Sequence, residues 1–195
     1  MQKCKNVLLI GDSIRMGYDK AVRQALEGRA NVIFPEENCQ FAAYVCRYLS
    51  DWICGIDGKD IDVIHWNAGL HDCLRLFEED PSTPIEIYEY YIDRTCQRIK
   101  KLCPNATVIF ATSTSVISER MSKNFMRRNE DIEKYNASAV KIVRKYGFEV
   151  NDLYSVSTSL PEEAHSDAVH YYTDIGTKAF SEQVLSFVLK ALDSN

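Results

Sequence analysis

The chain has 195 residues, of which 46% are hydrophobic and 26% charged, an ordinary composition for a globular protein with a sizeable core, and the length suits one domain over 1–195. A net charge of −5 and a pI of about 5.4 exclude the basic face that a nucleic-acid backbone or an acidic membrane surface would require. Nor does any apolar run approach the roughly 18 residues that span a bilayer.

Seven cysteines, at positions 4, 39, 46, 54, 73, 96 and 103, form an odd set without a C-x-x-C pair. A zinc ribbon or a disulfide scaffold is therefore not expected; reduced, mostly buried thiols are. Such thiols belong in a reducing compartment. The start "MQKCKNVLLIGDS" has too short an apolar stretch for a signal peptide. Together these predict a cytoplasmic chain, unless a leader was removed.

The first strand is Val7–Ile10, a continuous apolar run, followed by a helix over Arg15–Leu26. Asn31–Phe34 reads as a second strand, Phe41–Ile53 as a helix, and Asp62–Trp66 as a third strand. The clearest helix is Ile85–Leu102, where Ile85, Tyr88, Ile92, Cys96 and Ile99 make one stripe. Thr107–Ala111 is a β-branched fourth strand. A helix over Glu130–Tyr146 has Gly147 at its C-cap, Phe148–Val150 is a short fifth strand, and Asp174–Leu192 is a final helix capped by Thr173. Gly55–Asp60, Glu78–Pro84, Thr112–Asn124 and Ser155–His165 read as irregular. Strands alternating with helices imply a mainly parallel sheet covered on both faces, with ligands held beyond the carboxyl ends of the strands.

The unusual residues fall at those ends. In "VLLIGDSIRMGY" (residues 7–18) a buried strand gives way to Gly11, Asp12 and Ser13. Asp12 and Ser13 could serve simply as helix caps. In "HSDAVHYYTDIG" (165–176), however, Asp167 and His170 stand three apart just before the last helix. A carboxylate bonded to one ring nitrogen fixes the tautomer and leaves the other nitrogen as a base, which a serine hydroxyl needs to become a nucleophile. With Ser13 opposite, a Ser–His–Asp triad would be complete.

"GDS" after the first strand and "DAVH" before the last helix resemble the SGNH hydrolases, also called GDSL esterases, and the likeness runs over almost the whole chain. The resemblance implies a three-layer α/β/α, flavodoxin-like fold with a mainly parallel five-stranded sheet. It implies ester hydrolysis, with Ser13 as nucleophile, His170 as base and Asp167 as its orienting acid. Ser13 N–H would donate to the oxyanion. The family's second block offers a glycine N–H; here "PEENCQFAAY" puts Cys39 in that place. The third block offers an asparagine side chain; here "HWNAGLHD" presents Asn67, or in another alignment His71. Some carbohydrate-acetylating and carbohydrate-deacetylating relatives look similar, with an N-x-G-x-[HW] pattern, which favours Asn67.

Asp12, Trp66 and Tyr171 are the substrate-contacting candidates. Trp66, Tyr18, Tyr171 and Tyr172 could stack on a sugar or line an acyl pocket, or simply pack. Arg15 reads as a solvated first-turn residue, His65 as half-buried in its strand, and His165 as a loop residue. No histidine spacing matches a metal-ligand pair, so neither metal nor cofactor is expected. Cys39 reads as inert. "ERMSKNFMRRNEDIEKY" (119–135) reads as a solvated helix start and a candidate flap, and the loop Thr112–Asn124 as a candidate lid. The expected activity is hydrolysis of small acyl esters, foremost acetyl, on a carbohydrate or other polar alcohol. A thioesterase, lysophospholipase or acyltransferase on the same triad, and an inactive carbohydrate- or partner-binding module, are the alternatives.

Overall fold

The computed structural model describes residues 4–54 and 61–194; the stretch Gly55–Asp60 read above as irregular lies outside them. The elements in chain order are β1 (Lys5–Ile10), α1 (Ser13–Ala25), β2 (Ala30–Ile33), α2 (Ala42–Cys54), β3 (Ile61–Trp66), β4 (Arg75–Leu76), α3 (Ile85–Leu102), β5 (Thr107–Ala111), β6 (Phe125–Met126), α4 (Asn129–Lys145), β7 (Glu149–Asn151), α5 (Leu153–Ser159) and α6 (Asp174–Ser194).

Five strands form a parallel sheet in the order β2-β1-β3-β5-β7. β1 is flanked on both sides, and Val7, Leu8, Leu9 and Ile10 are fully buried, as expected of a strand covered on both faces. Helix α1 packs on α6, while α2, α3 and α4 pack in series. From β1 the chain moves outward to β2, then crosses back to β3 and continues through β5 to β7. Right-handed crossovers therefore send α1 to one face and α2, α3 and α4 to the other. The order reverses between β1 and β3, so the loops leaving these strands part and open a crevice at their carboxyl ends.

In the α3 stripe Tyr88, Ile92, Cys96 and Ile99 are buried and Ile85 is partly buried, and the thiols of Cys39, Cys46, Cys73, Cys96 and Cys103 are free and buried. Gly147 follows α4 at φ 74°, a left-handed C-cap that glycine adopts without strain. Thr173 Oγ1 accepts the Gly176 N–H at 3.1 Å and so caps α6. A two-stranded ribbon, β4 with β6, pairs Leu76 with Phe125 and Arg75 with Met126. Its second strand belongs to the segment read as a flap, and the ribbon is tied to α4 by Arg75, whose Nε and Nη2 donate to Asp131 at 2.7 and 3.1 Å. Among the described residues no helix is long and apolar enough to cross a membrane.

Candidate active site

At the end of β1 the Asp12 side chain accepts the Ile14 N–H at 3.0 Å and is the N-cap of α1. Ser13 is thereby the first helical residue, with its N–H among those a helix start leaves without an intrahelical acceptor. The partial positive charge of the helix start falls there too. Gly11 is required by space: a Cβ at that position would lie 1.9 Å from Asn67 Oδ1 and 2.8 Å from Arg15 Cβ.

The distant segment closes on this turn. Asp167 Oδ1 accepts the backbone N–H groups of Val169 and His170 at 2.7 and 2.8 Å. Asp167 Oδ2 meets His170 Nδ1 at 2.8 Å, and His170 Nε2 meets Ser13 Oγ at 2.8 Å. Burial alone would raise the Asp167 carboxyl; the two N–H bonds and the His170 ring outweigh it and hold the group below the usual carboxylate range. An ionised Asp167 fixes the proton on Nδ1 and leaves Nε2 free to accept from the serine hydroxyl. Tyr172 stacks on the His170 ring, with centroids 4.9 Å apart. Its hydroxyl donates to Ser13 O at 2.6 Å. Its ring fills the space beside Gly17, where a Cβ would come within 2.8 Å of it.

Asn67 follows β3 in the crevice, buried, with its N–H donating to Ile10 O at 3.0 Å. Since Oδ1 faces Gly11, the amide nitrogen points to the opposite side. His71 lies further along the same loop. Burial lowers its proton affinity; Asp12 raises it, and Arg127 and His170 lower it again.

Several expectations need correction. Cys39 N–H is committed to Gly11 O at 3.1 Å, so it is not a free oxyanion donor; the bond instead joins the second loop to the first. Burial pushes the Cys39 thiol up to about 11, leaving it protonated. Trp66 is fully buried, edge-on to Phe110 at 5.0 Å, and presents no face to a ligand. Asp12 is sealed in its capping role, with no exposed surface. Tyr171 is buried between His165 and Phe180, with its hydroxyl on Ser115. Tyr18 is likewise core, edge-on to His65.

Arg15 is not solvated. It is fully buried, pairs with Asp19, and donates to Glu37 O at 2.7 Å, which joins α1 to the loop after β2. Its signal was the i,i+4 spacing of Arg15 and Asp19. His65 is fully rather than half buried, and burial lowers its pKa to about 3. Arg127, just past the ribbon, is a further buried arginine, whose Nε donates to Leu70 O; within a charge-dense segment it carried no distinguishing pattern.

No family model matches the sequence, and no curated protein does. Solved structures match it in shape. An acetyl xylan esterase, AlAXEase, superposes with a TM-score of 0.75 at 18% identity, over 94% of this chain and 99% of that one. A lipase/acylhydrolase from Enterococcus faecalis gives 0.75 at 16%, over 94% and 95%. A GDSL-like lipase from Bacteroides thetaiotaomicron VPI-5482 gives 0.73 at 15%, over 96% and 89%. With its sheet order, its layers and these neighbours, the chain has the fold of the SGNH, or GDSL-type, hydrolases.

Proposed function

We propose that the chain is a serine acylhydrolase, a single domain that cleaves small acyl esters, foremost acetyl, from a carbohydrate or other polar alcohol. The observation that carries this reading is the continuous chain Ser13 Oγ, His170 Nε2, His170 Nδ1, Asp167 Oδ2, with 2.8 Å at each hydrogen bond. Ser13 Oγ attacks the acyl carbon as His170 Nε2 takes its proton, and Asp167 stabilises the imidazolium. The oxyanion is received by Ser13 N–H at the start of α1 and by the Asn67 amide, with His71 on the same loop as the alternative donor. His170 then protonates the leaving alcohol. In the second half-reaction it deprotonates a water, which attacks the acyl-enzyme and frees the acid and Ser13.

The acetyl preference draws support from the neighbour named as an acetyl xylan esterase. A fluorophosphonate probe followed by peptide mass spectrometry tests the nucleophile, and a series of 4-nitrophenyl esters tests the acyl group. Covalent label on Ser13 and rates falling with chain length are expected. Absence of label would reject the nucleophile, and faster cleavage of long chains or of thioesters would reject the acetyl reading.

A further inference from the structure

Tyr172 joins the two halves of the Ser13–His170 pair, which stand 157 residues apart in the sequence. Its ring lies on the face of His170 at 27°, with centroids 4.9 Å apart, and its hydroxyl donates to Ser13 O at 2.6 Å. Its own N–H donates to Ser166 Oγ at 3.2 Å, and Ser166 N–H donates to His170 O at 2.8 Å. The edge of the ring rests against α1 at Gly17, where a Cβ would stand 2.8 Å from Cδ1 and Cε1. Glycine is unfavourable inside a helix; at position 17 it leaves the room that this ring occupies.

The His170 ring needs such a support. Its hydrogen bonds to Asp167 at Nδ1 and to Ser13 at Nε2 both run in the plane of the imidazole. They fix its direction and leave free its tilt about the line that joins them, and with the side chain 29% exposed the core does not enclose it. Tyr172 supplies a contact on the face of the ring, and a phenol has only two side-chain torsions to hold. Because the same phenol is anchored on the backbone of Ser13, one rigid group sets the base against the nucleophile. We propose that Tyr172 is a positioning residue for the reaction, which locks the tilt of the His170 ring relative to Ser13. This rests on the acylhydrolase reading, in which Ser13 attacks and His170 takes its proton.

The test is steady-state hydrolysis of 4-nitrophenyl acetate by wild type, Tyr172→Phe and Tyr172→Leu, with circular dichroism to confirm folding. Tyr172→Leu should lose about ten- to a hundredfold in kcat with KM little changed, the effect of a misplaced reacting group. Tyr172→Phe keeps the stack and gives up the bond to Ser13 O, so it should lose only about two- to tenfold. Wild-type kcat in folded Tyr172→Leu would overturn the proposal. So would a loss that falls on KM, which marks a substrate contact, or an equal loss in both variants, which leaves the stack without effect. If Tyr172→Leu does not fold, Gly17→Ala decides. Its methyl pushes the ring by about 0.6 Å, from 2.8 to the 3.4 Å of ordinary contact, while alanine favours the helix. A drop of about tenfold in kcat sustains the proposal, and wild-type kcat overturns it. If wild type does not turn over, the esterase reading fails separately, and crystal structures of wild type and the folded variant decide. A His170 ring that leaves hydrogen-bond reach of Ser13 Oγ only in the variant sustains the proposal; a ring orientation common to both overturns it.

Discussion

Replacing Gly11 by alanine tests how the proposed oxyanion site is built. The new methyl would stand 1.9 Å from Asn67 Oδ1, where ordinary contact begins at 3.4 Å, so the amide must retreat by about 1.5 Å or the strand must shift. Arg15 Cβ, 2.8 Å from the same methyl position, is also too close and limits the compensating movement. A misplacement of about 1 Å at a reacting centre costs on the order of 10²-fold, and outright loss of an oxyanion donor about 2.7–4 kcal/mol. Gly11→Ala should therefore lower kcat by about 10²–10³ with a smaller change in KM, and cost about 1–3 kcal/mol in stability. Steady-state hydrolysis of a chromogenic acetate, with urea melts in parallel, measures both. A double-mutant cycle makes the cause explicit. If Gly11 acts by seating Asn67, Asn67→Ala alone should lose about as much activity as Gly11→Ala, and the double variant little more. Near wild-type turnover in folded Gly11→Ala, or additive losses in the cycle, would refute the reasoning.

Two further predictions concern stability. Arg15→Ala leaves the Asp19 carboxylate buried without its partner and should cost about 3–5 kcal/mol in a urea melt, much of it regained when Asp19→Leu accompanies Arg15→Met; a cost within the range of surface substitutions would contradict the pairing. Acid response follows from two buried groups with opposite signs. His65, lowered to about 3, binds its proton in the unfolded chain first, so stability is lost as pH falls from about 6.5 toward 3. Asp72, raised by burial to about 6, stays protonated longer in the fold, so its contribution is lost as pH rises from about 4 to 6. The two offset each other over that interval. Asp72→Asn should expose the His65 slope, up to about 1.4 kcal/mol per pH unit; urea midpoints that track wild type across pH 4–6 would refute this assignment.

The long elements were legible because their burial is written as periodicity. The α3 stripe and the β-branched run of β5 begin and end where the sequence places them, and the other long elements shift by a few residues at most at their ends. The β4–β6 ribbon was not legible, since two-residue strands carry no period, and Phe77 and Glu78 beside it take positive φ without a glycine. Helix α5, in a serine- and threonine-rich stretch, was masked by residues that also favour turns. The site was legible where its geometry is local: D-x-x-H closes on itself through the N–H bonds that Asp167 accepts, and Ser13 is fixed by the end of a buried strand. Where roles depend on packing between loops the reading failed. Nothing in the sequence shows that Cys39 N–H is spent on Gly11 O, that Trp66 turns into the core, or that Arg15 and Arg127 are buried cations.

The central claim is that Ser13 is a nucleophile activated by His170. The direct measurement is hydrolysis of 4-nitrophenyl acetate by wild type and Ser13→Ala, purified side by side, with circular dichroism to show that both are folded. The account predicts turnover in the wild type and a loss of several powers of ten in the variant. Equal rates in the two proteins, with both folded, would contradict it.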